Sequence, residues 1–137
     1  MKIENVMTRD IVTCSPNDLV HEIAQSMRAL DIGCMPVMEQ QRVVGMITDR
    51  DISKRADSTN KQQLVKDVMT QEIISVGPQS STDEAAEIMT HHQIRRLPVI
   101  KKDSLIGFVA FTDLAVEQDH SFDSSYVIQP IAGIHHI

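Results

Sequence analysis

The sequence predicts an α+β fold built from two copies of one strand-helix-strand-strand-helix unit. The first observation is an internal repeat, in which Gly45-Met-Ile-Thr-Asp-Arg-Asp51 is followed 62 residues later by Gly107-Phe-Val-Ala-Phe-Thr-Asp113. The same offset aligns Val6-Met7-Thr8 with Val68-Met69-Thr70. An ungapped match of this extent indicates two copies of one supersecondary unit. The second observation is length, because a copy of roughly 50 residues buries too little surface to be stable alone. We therefore expect the two copies to fold as a pair.

The first copy, residues 1–60, begins with a strand and a helix. The β-branched run Ile11–Thr13 predicts a short strand that stops at the Ser15-Pro16 turn. Apolar residues then recur at three- and four-residue spacing from Leu19 to Leu30, which predicts an amphipathic helix. Asp18 is the expected N-cap of this helix and Gly33 its expected terminator.

The rest of the first copy predicts a hairpin and a second helix. Apolar runs at Met35–Met38 and Val43–Thr48 flank a polar turn, and they predict two strands. A helix is expected to begin near Asp49. The polar segment 57–63 lacks periodicity and is interpreted as the linker between the copies.

The second copy, residues 61–117, repeats this order. Ser81 and Glu84 have the spacing of a capping box at the start of its first helix. The other predicted elements are strands at Ile73–Val76, Leu97–Ile100 and Leu105–Phe111, and a last helix from Thr112 or Asp113. Residues 118–137 lose the pattern and are interpreted as a C-terminal tail that either packs on a neighbouring surface or is disordered.

Charge and hydropathy exclude several classes of protein. A formal net charge of -6, without a basic run, argues against binding to nucleic acid through its phosphates. No apolar run approaches the length of a membrane span, and the N-terminus lacks the apolar core of a signal peptide. We therefore predict a cytoplasmic protein without membrane contact.

Catalytic and metal sites are not predicted. Cys14 and Cys34 lack metal-ligand spacing and are expected to be reduced thiols. The adjacent pairs His91-His92 and His135-His136 also make poor metal sites, because neighbouring side chains on a helix point apart. No nucleophile-base pattern or phosphate-binding glycine motif occurs, so the chain is not predicted to be an enzyme.

The repeated segment that ends at Asp51 has two interpretations. Thr48 and Asp51 lie three residues apart where a strand meets a helix, so both side chains can face one ligand there. The unpaired N–H groups of a helix start favour an anion, and the Asp51 carboxylate can accept hydrogen bonds from the vicinal diol of a ribose. The alternative is that Asp51 only caps the helix.

Arg95 and Arg96 also have two interpretations. They precede Leu97-Pro98-Val99 at the position where the first copy has Gly33 and Cys34. Two guanidinium groups beside a strand could bind phosphate. The alternative is a solvated pair near a helix C-terminus, where cations are favoured.

The repeated motifs resemble a tandem pair of CBS domains, also called a Bateman module. The resemblance rests on Val-Met-Thr at the start of each copy, Met-Pro-Val or Leu-Pro-Val on the middle strand, and Gly-x-x-x-x-x-Asp at the end, and it covers residues 1 to about 117. It implies two repeats paired by pseudo-twofold symmetry through their sheets, and a homodimer. It also implies two clefts between the repeats for AMP, ADP, ATP or S-adenosylmethionine, with no cofactor required.

The family's ligand positions can be carried over to this chain one by one. Cleft 1 would be formed by Met46, Thr48, Arg50, Asp51, Ile73, Ile74, Ile94, Arg95 and Arg96. Cleft 2 would be formed by Ile11, Val12, Ile32, Gly33, Cys34, Phe108, Thr112 and Asp113. Cleft 2 departs from the family pattern because Ala110 replaces the hydroxyl of Thr48 and Gly33-Cys34 offers no cation. We therefore expect cleft 2 to bind more weakly, to select an uncharged ligand, or to be empty.

Two functional hypotheses follow. The first is a non-catalytic regulatory module that binds an adenosine-containing ligand and signals by a conformational change to a partner protein of unknown identity. The second is a structural or redox-responsive interaction module that binds little or no nucleotide, with Cys14 and Cys34 at the rim of cleft 2.

Overall fold

The computed structural model describes residues 1–118, and the predicted tail beyond residue 118, with its histidine pair, lies outside them. The described chain forms two compact units. The first-repeat unit comprises Val12–Ile73, and the second-repeat unit comprises Met1–Ile11 together with residues 74–118. Each unit therefore combines most of one sequence repeat with the segment that leads into the other.

The first-repeat unit contains two helices and one antiparallel hairpin. Its elements are α1 (Val20–Leu30), β1 (Cys34–Glu39), β2 (Arg42–Thr48) and α2 (Asp49–Arg55), followed by a 3₁₀ turn at Val65–Asp67. The hairpin turns at Gln40 and Gln41, which both have positive φ angles, of 52° and 68°. This pair of left-handed residues is the geometry of the tight turns that match strand twist.

The second-repeat unit has the same order of elements. They are a 3₁₀ turn at Ile3–Asn5, then α3 (Thr82–His92), β3 (Arg96–Lys101), β4 (Ser104–Ala110) and α4 (Phe111–Gln118). Its hairpin turns at Lys102 and Asp103, again with positive φ angles. The mixed helix and strand content, with one antiparallel hairpin in each unit, confirms the predicted α+β class. No helix within residues 1–118 is long and apolar enough to cross a membrane.

The strand predicted at the start of each copy is reduced to a single parallel bridge. Cys14 pairs with Val37 through two bonds, from the Cys14 N–H to the Pro36 carbonyl (3.1 Å) and from the Met38 N–H to the Cys14 carbonyl (2.7 Å). Extending this ladder would require N–H groups at residues 16 and 36, and both are prolines, which have none.

The same chemistry limits the bridge in the second-repeat unit. Val76 pairs with Val99, and prolines again occupy the two flanking ladder positions, Pro78 and Pro98. The Ser-Pro and Gly-Pro turns therefore do more than end a strand, because they prevent one from forming.

Both ends of α1 differ from the prediction. The N-cap is Leu19 rather than Asp18, and the Asp18 carboxylate instead accepts the Ser15 N–H at 2.8 Å within the preceding turn. The helix ends before Gly33 because Asp31 adopts a left-handed conformation with φ 55°. The capping box predicted for α3 is confirmed, since the Ser81 hydroxyl accepts the Glu84 N–H at 3.0 Å.

Each unit has its own apolar core, and the leading segment contributes to it. In the first-repeat unit, Val65 and Val68 are fully buried beside Val37 and Ile47. In the second-repeat unit, Ile3 is fully buried in the corresponding cluster. The Val-Met-Thr motif that opens each copy thus packs on elements that belong to the other copy in the sequence.

Candidate functional site

The junction between β2 and α2 is closed by a reciprocal pair of hydrogen bonds. The Asp51 N–H donates to Thr48 Oγ1 at 3.0 Å, and the Thr48 N–H donates to Asp51 Oδ2 at 3.1 Å. This is a capping box, which satisfies two N–H groups that a helix start would otherwise leave unpaired. Asp51 therefore does cap the helix, and its second oxygen remains available for other partners.

Thr70 brings a second hydroxyl to the same carboxylate. Its side chain lies 3.3 Å from Asp51 Oδ1 and 3.4 Å from Asp51 Oδ2, so one hydroxyl is shared between both oxygens. The backbone of Thr70 is held beside β2 by two bonds with Met46, of 2.8 and 2.9 Å. Sequence reasoning missed this residue, although the Val-Met-Thr motif that contains it was the first sign of the repeat.

Gly45 allows the Val68-Met69-Thr70 segment to approach β2 this closely. A Cβ atom at Gly45 would lie 2.6 Å from Met69 Sδ and 2.9 Å from the Thr70 carbonyl oxygen, both too close for a side chain. In the second-repeat unit, a Cβ atom at Gly107 would collide with the Met7 side chain. The glycine and the Val-Met-Thr motif are therefore two halves of one contact, which explains why both recur.

The junction between β4 and α4 in the second-repeat unit has one of the two capping-box bonds and cannot form the other. The Ala110 N–H donates to Asp113 Oδ2 at 2.9 Å, as the Thr48 N–H does to Asp51. Ala110 has no side-chain oxygen, so it cannot accept the N–H of Asp113 in return. Thr8 is paired with Phe108 by two backbone bonds, of 2.8 and 2.9 Å, as Thr70 is with Met46.

Arg95 and Arg96 lie where β3 begins. Arg96 pairs with Ala110 across the hairpin, and the Arg95 carbonyl accepts the Phe111 N–H at 2.8 Å. Both side chains are half-buried. The two arginines therefore lie beside the start of α4, in the unit that contains Asp113.

The residues predicted for each cleft are divided between the two units. For cleft 1, the first-repeat unit holds Met46, Thr48, Arg50, Asp51 and Ile73, and the second-repeat unit holds Ile74, Ile94, Arg95 and Arg96. For cleft 2, the corresponding sets are Val12, Ile32, Gly33 and Cys34, and Ile11, Phe108, Thr112 and Asp113. Within the first-repeat unit, Met46, Thr48 and Asp51 are gathered around Thr70, whereas the joining of the two halves of each cleft stays a prediction.

The two cysteines are buried in the first-repeat unit, with exposures of 7% for Cys14 and 5% for Cys34. Burial, with a smaller contribution from the Asp18 carboxylate, raises the pKa of the Cys14 thiol to about 12. At neutral pH this thiol is therefore protonated and a poor nucleophile. Among the described residues, no group of three or more His, Cys, Asp or Glu side chains could hold a metal ion.

A cavity of about 310 Å³ lies between α1 and α2 of the first-repeat unit, which sequence reasoning did not predict. Its apolar lining residues are buried or half-buried, and its charged lining residues are exposed and of both signs. It is lined by Ala24, Met27, Arg28, Asp31, Ile32, Asp49, Ile52 and Ser53. Ile32 is the one residue of the predicted clefts in its lining.

Comparisons with known proteins identify the repeat. The model of the CBS domain matches residues 3–58 and 65–119. The CBS domain-containing protein YhcV of Bacillus subtilis is 42% identical over 118 residues, which are 85% of this chain and 84% of YhcV.

Solved structures agree with this assignment. The CBS-domain containing protein ATU1752 from Agrobacterium tumefaciens is 27% identical, with a TM-score of 0.76 over 86% of this chain and 99% of that one. The CBS domain pair of protein MJ0100, solved with 5′-methylthioadenosine and S-adenosyl-L-methionine, shares the fold at 20% identity, with a TM-score of 0.77 over 89% of this chain and 98% of that one. The chain therefore belongs to the CBS-domain family and carries two CBS domains in tandem.

Proposed function

We propose that this chain is a non-catalytic regulatory module that binds an adenosine-containing ligand, either AMP, ADP, ATP or S-adenosylmethionine. The ligand would bind in cleft 1, between the repeats, with its ribose on Asp51. A protein can be shifted between two conformations only by as much as a ligand prefers one of them. The signal is therefore a ligand-dependent conformational change, passed to a partner protein or through a homodimer in the cytoplasm.

The observation that carries the proposal is that the Asp51 carboxylate has unused hydrogen-bond acceptor sites and is partly exposed. An ionised carboxylate offers about four acceptor sites. The Thr48 N–H uses one site and the shared Thr70 hydroxyl uses roughly another. The remaining capacity suits the two hydroxyls of a ribose diol, and Asp51 is only half-buried, so a ligand can reach it.

The phosphate side of the proposal rests on Arg95 and Arg96. They are adjacent, half-buried cations in a chain with a net charge of -6. Guanidinium groups bind phosphate oxygens in a fixed fork geometry, which favours a phosphorylated ligand in cleft 1. Gly33 and Cys34 occupy the equivalent positions for cleft 2, so we propose that cleft 2 is weaker, selects an uncharged ligand, or stays empty.

The redox form of the alternative function is disfavoured at Cys14. A redox-responsive cysteine is typically exposed and has a lowered pKa, whereas this thiol is buried and its pKa is raised to about 12. An interaction module without ligand binding remains the competing hypothesis. The test of the proposal must therefore be ligand binding itself.

The test is a thermal-shift panel of AMP, ADP, ATP, S-adenosylmethionine and GTP. It compares the wild type with Asp51→Ala and Asp113→Ala. A ligand at a hundredfold excess over its dissociation constant adds about 2.7 kcal/mol, which for a chain of this length raises the midpoint by about 10 °C. Because Asp51 also caps α2, the quantity compared is the ligand-induced shift within each variant.

The proposal predicts a rise with at least one adenosine ligand that disappears in Asp51→Ala and persists in Asp113→Ala. GTP should give little or no rise. The absence of a shift with every adenosine ligand, in a wild type that melts cooperatively, would favour the interaction module instead.

A further inference from the structure

The shared contact between Thr70 and Asp51 has a geometric consequence that the capping box lacks. The Thr48 N–H contacts only Oδ2, so by itself it leaves the carboxylate free to rotate about its Cβ–Cγ bond. Thr70 Oγ1 lies at nearly equal distances from both carboxylate oxygens, 3.3 and 3.4 Å. A second contact that involves both oxygens restricts this rotation and orients the carboxylate plane.

Thr70 is itself held at this position by three features of the first-repeat unit. Two backbone bonds join it to Met46, at 2.8 and 2.9 Å. Gly45 leaves room for its carbonyl, as described above. The Arg55 guanidinium donates to the carbonyls of Val68 and Met69, both at 3.4 Å, and so links α2 to the segment that ends at Thr70.

We infer that Thr70 is a positioning residue for ribose recognition, whose hydroxyl orients the Asp51 carboxylate toward a vicinal diol. This inference rests on the proposed function, because it assigns the preference for ribose over deoxyribose to the Thr70–Asp51 pair. Thr70 contributes no apolar contact to the base and no charge to the phosphates in this role. Its loss therefore affects ligands that carry ribose hydroxyls and spares ligands that lack them.

The second-repeat unit supplies a matched control. Thr8 is the equivalent of Thr70 and has the same pair of backbone bonds, to Phe108. It lies in the unit that contains Asp113, where Ala110 removes the hydroxyl of the capping box. A substitution at Thr8 therefore tests whether any threonine of the motif produces the effect, or only the one beside Asp51.

The experiment measures dissociation constants for ATP and AMP and for their 2′,3′-dideoxy counterparts. The proteins are the wild type, Thr70→Val, Thr70→Ser, Thr8→Val and Asp51→Ala. Thr70→Val keeps the shape and backbone bonds of threonine and removes only the hydroxyl. The loss of one hydrogen bond to a charged group should weaken ribonucleotide binding about tenfold.

The inference predicts that Thr70→Val weakens the binding of the ribonucleotides and leaves the affinity for the dideoxynucleotides unchanged. Thr70→Ser should restore ribonucleotide affinity, and Thr8→Val should not change it. Equal weakening of ribo and dideoxy ligands would show a merely structural role and overturn the inference. Binding that is lost in Asp51→Ala but unchanged in Thr70→Val would overturn the inference and leave the proposed function standing. A wild type that binds neither ribonucleotide would overturn the inference, and one that also fails to bind ADP and S-adenosylmethionine would overturn the proposed function.

Discussion

Asp51 and Asp113 lie at equivalent positions of the repeat, but the helix starts that contain them are capped differently. Asp51 follows Thr48, whose hydroxyl completes the capping box, whereas Asp113 follows Ala110, which has no hydroxyl. Sequence reasoning could predict this difference, because each partner lies three residues from its aspartate. It could not predict Thr70 as a second partner of Asp51, because residues 19 positions apart meet only through the tertiary fold.

Cys14 tests the redox hypothesis at the level of one residue. With a pKa of about 12, the thiolate fraction at pH 8 is on the order of 10⁻⁴, so alkylation should be slow. We expect iodoacetamide at pH 8 to label the native Cys34→Ser variant, whose sole thiol is Cys14, at least about a hundredfold more slowly than the same variant in denaturant. Mass spectrometry measures both rates.

The same pKa shift predicts a loss of stability at alkaline pH. The native state holds the thiol proton more tightly than the unfolded state, in which the thiol has its ordinary pKa of 9.0. The free energy of unfolding contributed by Cys14 is therefore intact below about pH 9 and falls as pH rises toward about 12, by at most about 1.4 kcal/mol per pH unit. The Cys14→Ala variant should lack this contribution to the decline in stability. For the labelling experiment, a native rate as fast as the rate in denaturant would contradict the burial of the Cys14 thiol.

At the scale of elements, periodicity predicted which segments are helices and strands better than it predicted their ends. The α1 stripe and both hairpins lie where the apolar pattern places them. The errors lie at positions where backbone geometry determines where an element ends or whether a strand can form. A left-handed Asp31 ends α1 before Gly33, and Pro16 and Pro36 limit the first strand to one bridge. Neither a left-handed residue other than glycine nor a pairing partner can be read from periodicity.

Gly45 and Gly77 give a matched test of the contact between β2 and the Val-Met-Thr motif. A Cβ atom at Gly45 would lie 2.6 Å from Met69 Sδ and 2.9 Å from the Thr70 carbonyl, whereas at Gly77 the nearest atoms would be 3.9 and 4.0 Å away. Forcing atoms into a packed site costs about 1–3 kcal/mol. We therefore expect Gly45→Ala to lower the free energy of unfolding by that amount, as measured by urea denaturation.

Gly77→Ala should instead be neutral or stabilising by up to about 1 kcal/mol, because alanine restricts the unfolded chain and meets no close contact in the folded one. Equal stability of the two variants would mean that Gly45 is not a packing requirement. In that case the recurrence of the glycine would need another explanation.

At the scale of the whole molecule, sequence duplication and compact structure divide the chain differently. The predicted repeat boundaries, at residues 1–60 and 61–117, follow the duplication of the sequence. The compact units instead place Met1–Ile11 with the second repeat, and the segment that contains Val65 and Val68 with the first. An alignment offset identifies equivalent residues, but it carries no information about which copy a leading segment packs on.

This exchange of leading segments bears on the proposed site. The Val-Met-Thr motif that opens the second repeat supplies Thr70 to Asp51 of the first repeat. The groups that contact the Asp51 carboxylate therefore come from both sequence repeats, and they lie together in the first-repeat unit.

The most direct test of the central claim is a set of isothermal titrations of the wild type with AMP, ADP, ATP and S-adenosylmethionine, each ligand separately. The account predicts about one tight adenosine-ligand site per chain, because of the two repeat aspartates Asp51 is the one with both a complete capping box and a threonine hydroxyl on its carboxylate. It also predicts that Asp51→Ala removes this site. Two equal sites per chain would contradict the inequality of the clefts. No heat of binding from any of the four ligands, in a folded wild type, would contradict the assignment of the module to adenosine ligands.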